Sequence, residues 1–319
     1  MRVAPPPGQL IDVGTHRLHL HCQGAGDPAV VFDAALGASS LSWTYVLPEV
    51  ASFARACAID RAGFAWSDAG PLPRTTSRIV DEMRTALASA EVAPPYVLVG
   101  HSFGGLTARL FLHQHPEDVA GLVLLDPAYP EDWTPPSAAL GALVRRGAQL
   151  CRYGRLAARF GITGLVAGLA RAGAPGGARA AAFVASRGAL RRVDEEVMAP
   201  AAKLPPHVRA IAQRFWTQPK FFEALGSQIE SISISAAAVP VGQDFGDVPV
   251  VVVSGETNSD EGQLGRQARL GARSTRGRHV VAERSGHWIP LDRPDVVIQA
   301  IRDVVAATRP QGRTVPADP

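Results

Sequence analysis

The chain has 319 residues, 46% of them hydrophobic, and a formal net charge of +3. That length supports one large core, or a core with an inserted subdomain. No uninterrupted apolar run reaches the roughly 20 residues of a spanning helix, and MRVAPPPGQL lacks the apolar stretch of a secretory signal. The three cysteines, Cys22, Cys57 and Cys151, are odd in number and lack metal-ligand spacing. They read as reduced, mostly buried thiols of a cytoplasmic protein.

The first strand candidates, QLIDVG and RLHLHCQ, flank a short turn at Gly14 and predict a hairpin. His16, His19 and His21 lie around it. His19 and His21 share a strand face and read as surface residues rather than metal ligands. AVVFDA (29–34), ARACAID (54–60), YVLVG (96–100), GLVLLD (121–126), VPVVVVSG (248–255) and HVVAERSG (279–286) follow. Their continuous apolarity suits parallel strands buried on both faces. Helical periodicity occupies TTSRIVDEMRTALASA (75–90), GGLTARLFLHQHP and PDVVIQAIRDVVAAT. This alternation predicts an α/β sheet with helices on both faces.

More than 120 residues separate GLVLLD from VPVVVVSG, far beyond one crossover helix. The interval reads as a helical cap over 130–238. The core is then 1–129 with 239–308, and 309–319 is a flexible tail. Residues 138–218 hold thirteen Lys/Arg against three Asp/Glu, whereas the remainder holds nineteen against twenty-six. Arg145, Arg152 and Arg159 recur at seven-residue spacing. This stripe reads first as a solvated basic face, with anionic lipid or an acidic substrate as the alternative partner. Nucleic acid is not expected, because the basic residues are interleaved with Ala, Leu and Gly and no recognition motif is present.

The chemistry centres on VLVGHSFGGLTARL (97–110), where a strand runs through Gly-His-Ser-Phe-Gly-Gly into a helix. A sharp strand–turn–helix would project the Ser102 hydroxyl from the sheet edge, at a helix N-terminus that favours negative charge. A serine hydroxyl needs a base. His287, in a short Gly-His loop after the last strand, would stand at the same rim. His101 adjoins the serine, and its side chain should diverge from Oγ. The base in turn needs an acid. Asp126, directly after GLVLLD, is favoured; Asp260, in SGETNSDEG, is the alternative. Oxyanion donors are expected from the N–H groups of Phe103 and of Leu36, in the small-residue loop after AVVFDA. Trp133, Trp216 and Trp288, with Phe221 and Phe222, are candidates for the substrate pocket or for simple packing.

With these pieces in order, the chain resembles the α/β-hydrolase family, specifically its serine hydrolases with a helical cap. AVVFDAALGASSLSW, IDRAGFAWSD, VLVGHSFGGLTARLF, VAGLVLLDPAYPED and SGHWIPLDRPDVVIQAI carry the resemblance, over about 200 residues. It implies an eight-stranded, mostly parallel sheet and a triad in the order Ser102, acid, His287. Two departures stand out. Ala34-Ala35 replace the His-Gly common in the oxyanion loop, and Gly255-Glu256-Thr257-Asn258 places asparagine where G-x-x-D usually supplies the acid. A subset of the family uses a carboxylate after the sixth strand instead, where this chain has Asp126. The resemblance implies no cofactor or metal. Serine rather than aspartate at position 102 argues against haloalkane and epoxide substrates. The implied activity is hydrolysis of a small-molecule carboxylic ester, thioester or lactone through an acyl-serine. Acyl transfer, perhydrolysis with the same residues, and a non-catalytic binding protein are the alternatives.

Overall fold

The continuously apolar runs at 29–33, 56–59, 96–101, 119–125 and 250–255 become strands covered on both faces, whereas the run at 277–282 forms an edge strand that stays partly exposed. The computed structural model describes residues 5–171 and 199–308. The strands are β1 (Gln9–Asp12), β2 (Arg17–Gln23), β3 (Ala29–Asp33), β4 (Ala56–Ile59), β5 (Tyr96–His101), β6 (Val119–Leu125), β7 (Val250–Gly255) and β8 (Gly277–Ala282). They form one sheet in the order β1-β2-β4-β3-β5-β6-β7-β8. β2 pairs antiparallel with β1 and β4, and the pairings from β4 through β3 to β8 are parallel. The last strand ends at Ala282, four residues before the end of the apolar-flanked run HVVAERSG, and the chain then turns through Arg284 at φ +59°.

Twelve helices are described: α1 (Leu47–Val50), α2 (Thr76–Ser89), α3 (Phe103–Gln114), α4 (Ala138–Arg159), α5 (Ile162–Arg171), α6 (Ala199–Lys203), α7 (Pro206–Phe215), α8 (Pro219–Glu230), α9 (Ile232–Ala237), α10 (Glu261–Gly271), α11 (Ile289–Asp292) and α12 (Pro294–Thr308). Successive strand residues point to opposite faces, and this sorts the core in two. Leu98, Leu122, Leu124, Val250 and Val252 meet α2 and α3 through Ile79, Met83, Leu106, Leu110 and Phe111. Val97, Val99, Val123, Leu125, Val251 and Val253 meet Trp43, Val46 and the α12 residues Val297, Ile301 and Val304.

Helices α4–α9 fill the excursion between β6 and β7. Residues 172–198 of the expected cap, and the expected tail at 309–319, lie outside the described residues. No helix among the described residues is long and apolar enough to cross a membrane.

Two expectations are corrected. Cys22 and Cys57 are not free thiols: they face each other on β2 and β4 and form a disulfide, leaving Cys151 free and buried. Antiparallel register, invisible in their 35-residue separation, makes them partners, and cysteine usage no longer argues for a reducing compartment. His19 is not a surface residue either. It is fully buried, with Nδ1 2.7 Å from Asp60 Oδ2.

Candidate active site at the carboxyl rim of the sheet

Parallel strands deliver their carboxyl ends to one edge, and the loops there carry the candidate residues. β5 ends in His101 and α3 begins at Phe103, so a single residue makes the turn. Ser102 adopts φ +54°, ψ −111°, a left-handed conformation that costs a non-glycine residue about 1–3 kcal/mol. The flanking glycines permit it. A Cβ at Gly100 would lie 2.4 Å from the Gly104 carbonyl oxygen, and one at Gly104 would lie 2.3 Å from that of Asp33. Helix and strand can therefore approach only where these side chains are missing. The Phe103 N–H, at the first helical position, has no intrahelical acceptor.

Ser102 is tied to β6. Its N–H donates to the Leu125 carbonyl (2.9 Å), and its own carbonyl accepts from Ala128 N–H (3.0 Å). Asp126 lies between these two anchors, at φ +40°. Its carboxylate is almost fully buried and accepts from several donors. His287 Nδ1 (2.6 Å) and Asn258 Nδ2 (2.7 Å) bond to Oδ2, and Gln267 Nε2 (2.5 Å) and Gln263 Nε2 (3.4 Å) bond to Oδ1. Burial opposes the charge. The bonds and charge of His287, with those from Asn258 and Gln267, outweigh it and hold the carboxyl below the usual carboxylate range.

The favoured acid is thus the one that meets His287. Asp260 instead caps α10, accepting from Gln263 N–H at 2.7 Å. It acts on Asp126 only through the helix that carries Gln263 and Gln267. Losing this cap in Asp260→Ala is expected to cost about 1 kcal/mol. A melting point about 2 °C lower by calorimetry, with kcat within threefold of wild type, is the anticipated result.

His287 is one-third exposed at its side chain and is fixed from behind. The buried His101 ring stands 4.9 Å from it, and His101 Nε2–H donates to the His287 carbonyl at 2.8 Å. Burial, then the proximity of His287, pushes His101 down to about 3, so its ring stays neutral near pH 7. Through that hydrogen bond His101 is engaged with the loop that carries His287. Neither Ser102 Oγ nor His287 Nε2 is engaged in a hydrogen bond among the described residues.

Leu36 lies in the loop after β3, where Ala38 N–H closes a turn on the Ala35 carbonyl (3.1 Å) and Gly37 takes φ +73°. Arg61 holds this loop from the end of the strand beside it. Its buried guanidinium bonds to the carbonyls of Ala34 and Ala35, and its Nε lies 2.8 Å from Asp33 Oδ1. It also sits 4.8 Å over the Phe103 ring. Asp60, oriented by His19, accepts from Ser40 N–H at 2.7 Å beyond the loop. A lysine cannot reproduce this fork. Arg61→Lys is expected to lower kcat about tenfold with little change in KM, and to cost about 2–3 kcal/mol in urea unfolding, because it strands buried acceptors.

Comparison with known proteins agrees with this fold. The sequence model described as alpha/beta hydrolase fold matches residues 28–163. A thermophilic esterase from Thermogutta terrifontis superposes with a TM-score of 0.63 at 20% identity, covering 94% of this chain and 98% of that one. The chain is an α/β-hydrolase-fold protein. The Hormonema carpetanum protein named "Probable transporter efuK" is 37% identical over 127 residues, covering 37% of this chain and 18% of that protein. The 2-hydroxymuconate semialdehyde hydrolase of Pseudomonas sp. strain CF600 is 34% identical over 129 residues, covering 39% of this chain and 45% of that protein. The chain spans less than half the length of these curated relatives.

In this α/β-hydrolase fold, a small apolar cavity of about 40 Å³ lies between the Leu36 loop and the helical excursion. Leu36, Gly37 and Trp288 line one side, and Leu204, Ala212 and Trp216 the other. Two of the three candidate tryptophans therefore meet there. Trp133 does not line it; it packs on the main core and pairs with Pro136. Phe221 packs edge-on against Phe64 beneath the excursion.

Arg61, Asn258, Gln263, Gln267 and His101 were not assigned to the site from sequence. Spacing offered one usable signal: Gln263 and Gln267 are four apart and share a helix face.

Proposed function

We propose that this α/β-hydrolase-fold protein is a serine hydrolase of carboxylic esters, working through an acyl-serine intermediate. The observation that carries the reading is the Asp126–His287 bond, formed beside a serine held at positive φ. Ser102 Oγ attacks the ester carbonyl carbon, and its proton passes to His287 Nε2. Asp126 fixes the tautomer with the free nitrogen outward and stabilises the imidazolium. The N–H groups of Phe103 and Leu36 donate to the developing oxyanion. His287 then protonates the departing alkoxide. Water, deprotonated by the same imidazole, cleaves the acyl-enzyme and restores Ser102. Catalytic hydrogen bonds commonly tighten only once substrate is bound, which accommodates the unbonded Ser102 and His287 atoms.

The 2-hydroxymuconate semialdehyde hydrolase relative supports hydrolysis as the reaction, and ester specificity is the step proposed beyond it. A fluorophosphonate probe tests it. Stoichiometric labelling mapped to Ser102 by mass spectrometry, together with p-nitrophenyl acetate turnover that the label abolishes, is expected. A folded protein that neither labels nor turns over the ester would refute the reading.

A further inference from the structure

The helix α4 is built with two different faces. Its inner face is fitted to α8: a Cβ at Gly147 would meet Ile229, one at Gly154 would meet Phe222, and one at Gly226 on α8 would meet Cys151. Arg152–Glu230 and Arg155–Glu223 join the same two helices at their flank. The outer face has no such fitting. Tyr153 is 68% exposed, Leu156 54% and Phe160 75%, with Leu143 and Leu150 on the same side. Ile162 and Leu165 at the start of α5 extend this surface.

These apolar side chains are bordered by cation. Residues 138–171 contain six arginines and no Asp or Glu. Arg145, Arg146 and Arg159 are exposed and have no acidic partner among the described residues. At 100° per residue, Leu143, Leu150, Tyr153, Leu156 and Phe160 fall within one arc, and Arg146 lies inside it. Arg145, Arg152 and Arg159 form its edge. An aromatic and leucine stripe edged by arginine, of which only Arg152 pairs with an acid (Glu230) among the described residues, complements an interface that is apolar inside and negatively charged at its surface. The arginine stems can lie along the apolar layer while their guanidinium groups reach phosphates.

We propose that the outer face of α4 and the start of α5 docks this protein, peripherally, onto a lipid bilayer rich in anionic headgroups. The helix lies in the interface plane and does not cross it. The docking is independent of the catalytic reading, because its residues lie on the side of α4 that faces away from α8.

Sedimentation of the full chain with sucrose-loaded vesicles tests this. Vesicles of phosphatidylcholine with 30% phosphatidylglycerol are compared with phosphatidylcholine alone, at 0.1 M and 0.5 M NaCl. Binding to the anionic vesicles should be at least tenfold tighter and should weaken in the higher salt. The triple variant Arg145→Gln/Arg146→Gln/Arg159→Gln should bind about 100-fold more weakly. Tyr153→Ser/Phe160→Ser should lose at least tenfold even at low salt. Both variants should melt with the wild type, since all five side chains are exposed. In Tyr153→Trp, vesicles should shift the indole emission to shorter wavelength.

Three results would each overturn the proposal. One is no binding to the anionic vesicles at low salt. Another is binding that the variants leave unchanged. The third is a concentration-dependent dimer, without vesicle binding, that Tyr153→Ser/Phe160→Ser dissociates; the face would then be an interface between copies.

Discussion

Replacing Ser102 with alanine is expected to lower kcat on p-nitrophenyl acetate by about 10⁵-fold and to abolish fluorophosphonate labelling. The estimate follows from the proposed mechanism, in which the variant loses the group that forms the acyl bond and keeps only the proposed oxyanion donors and binding. The alanine keeps a Cβ at φ +54° and so keeps the backbone strain. Ser102→Gly separates the two effects. It should be equally inactive, yet it relieves about 1–3 kcal/mol of strain against about 0.5–1 kcal/mol of added chain entropy. Its melting point should therefore rise by a degree or more in calorimetry. An inactive glycine variant less stable than wild type would show that the turn is not strained by its side chain.

Asp126→Asn is the second large effect. The carboxylate accepts from His287, Asn258, Gln267 and Gln263. An amide presents one acceptor oxygen and an N–H₂ group, so at least one donor in the cluster faces another donor. With its N–H₂ group at the Oδ2 position, the amide deprives the His287 ring of its Nδ1 acceptor and of the tautomer that leaves Nε2 basic. A fall in kcat of about 10⁴-fold is expected. Asp260→Asn, altering only a helix cap, should stay within a few fold. The opposite ranking would transfer the acid role to Asp260.

Stability should follow in the same variant. The Asp126 carboxyl lies below its ordinary value of 3.8 in the folded protein. A depressed folded value means that the charged form contributes stability above the unfolded value. That contribution is lost as pH falls through the folded one. The stability gap between wild type and Asp126→Asn, measured by urea unfolding, should be widest above about pH 4 and should shrink as the solution is made more acidic. A gap that widens with acid would mean that Asp126 is neutral in the folded state.

What the amino-acid sequence determined by itself was local or periodic. Continuous apolar runs specify strands covered on two faces. Gly-His-Ser-Phe-Gly-Gly between such a run and a helical pattern specifies a tight turn, since residues adjacent in the chain must make it. Strand–helix alternation then sends the loops of Ser102, Asp126 and His287 to one rim. The tertiary structure decided matters that depend on register and on side chains meeting across elements. Two carboxylates ended rim loops in the sequence, and only the packed α10 brought Gln263 and Gln267 to one of them while Asp260 turned to cap that helix. Cys22 and Cys57 became a pair because β2 and β4 align them, and His19 became a core residue because Asp60 lies opposite. Arg61 came to hold the loop after β3 because β4 runs beside β3. The physical reason is common to all four. A residue's neighbours along the chain determine its backbone, but the low-dielectric contacts that set a side chain's charge, tautomer and partner come from strands and helices tens of residues away.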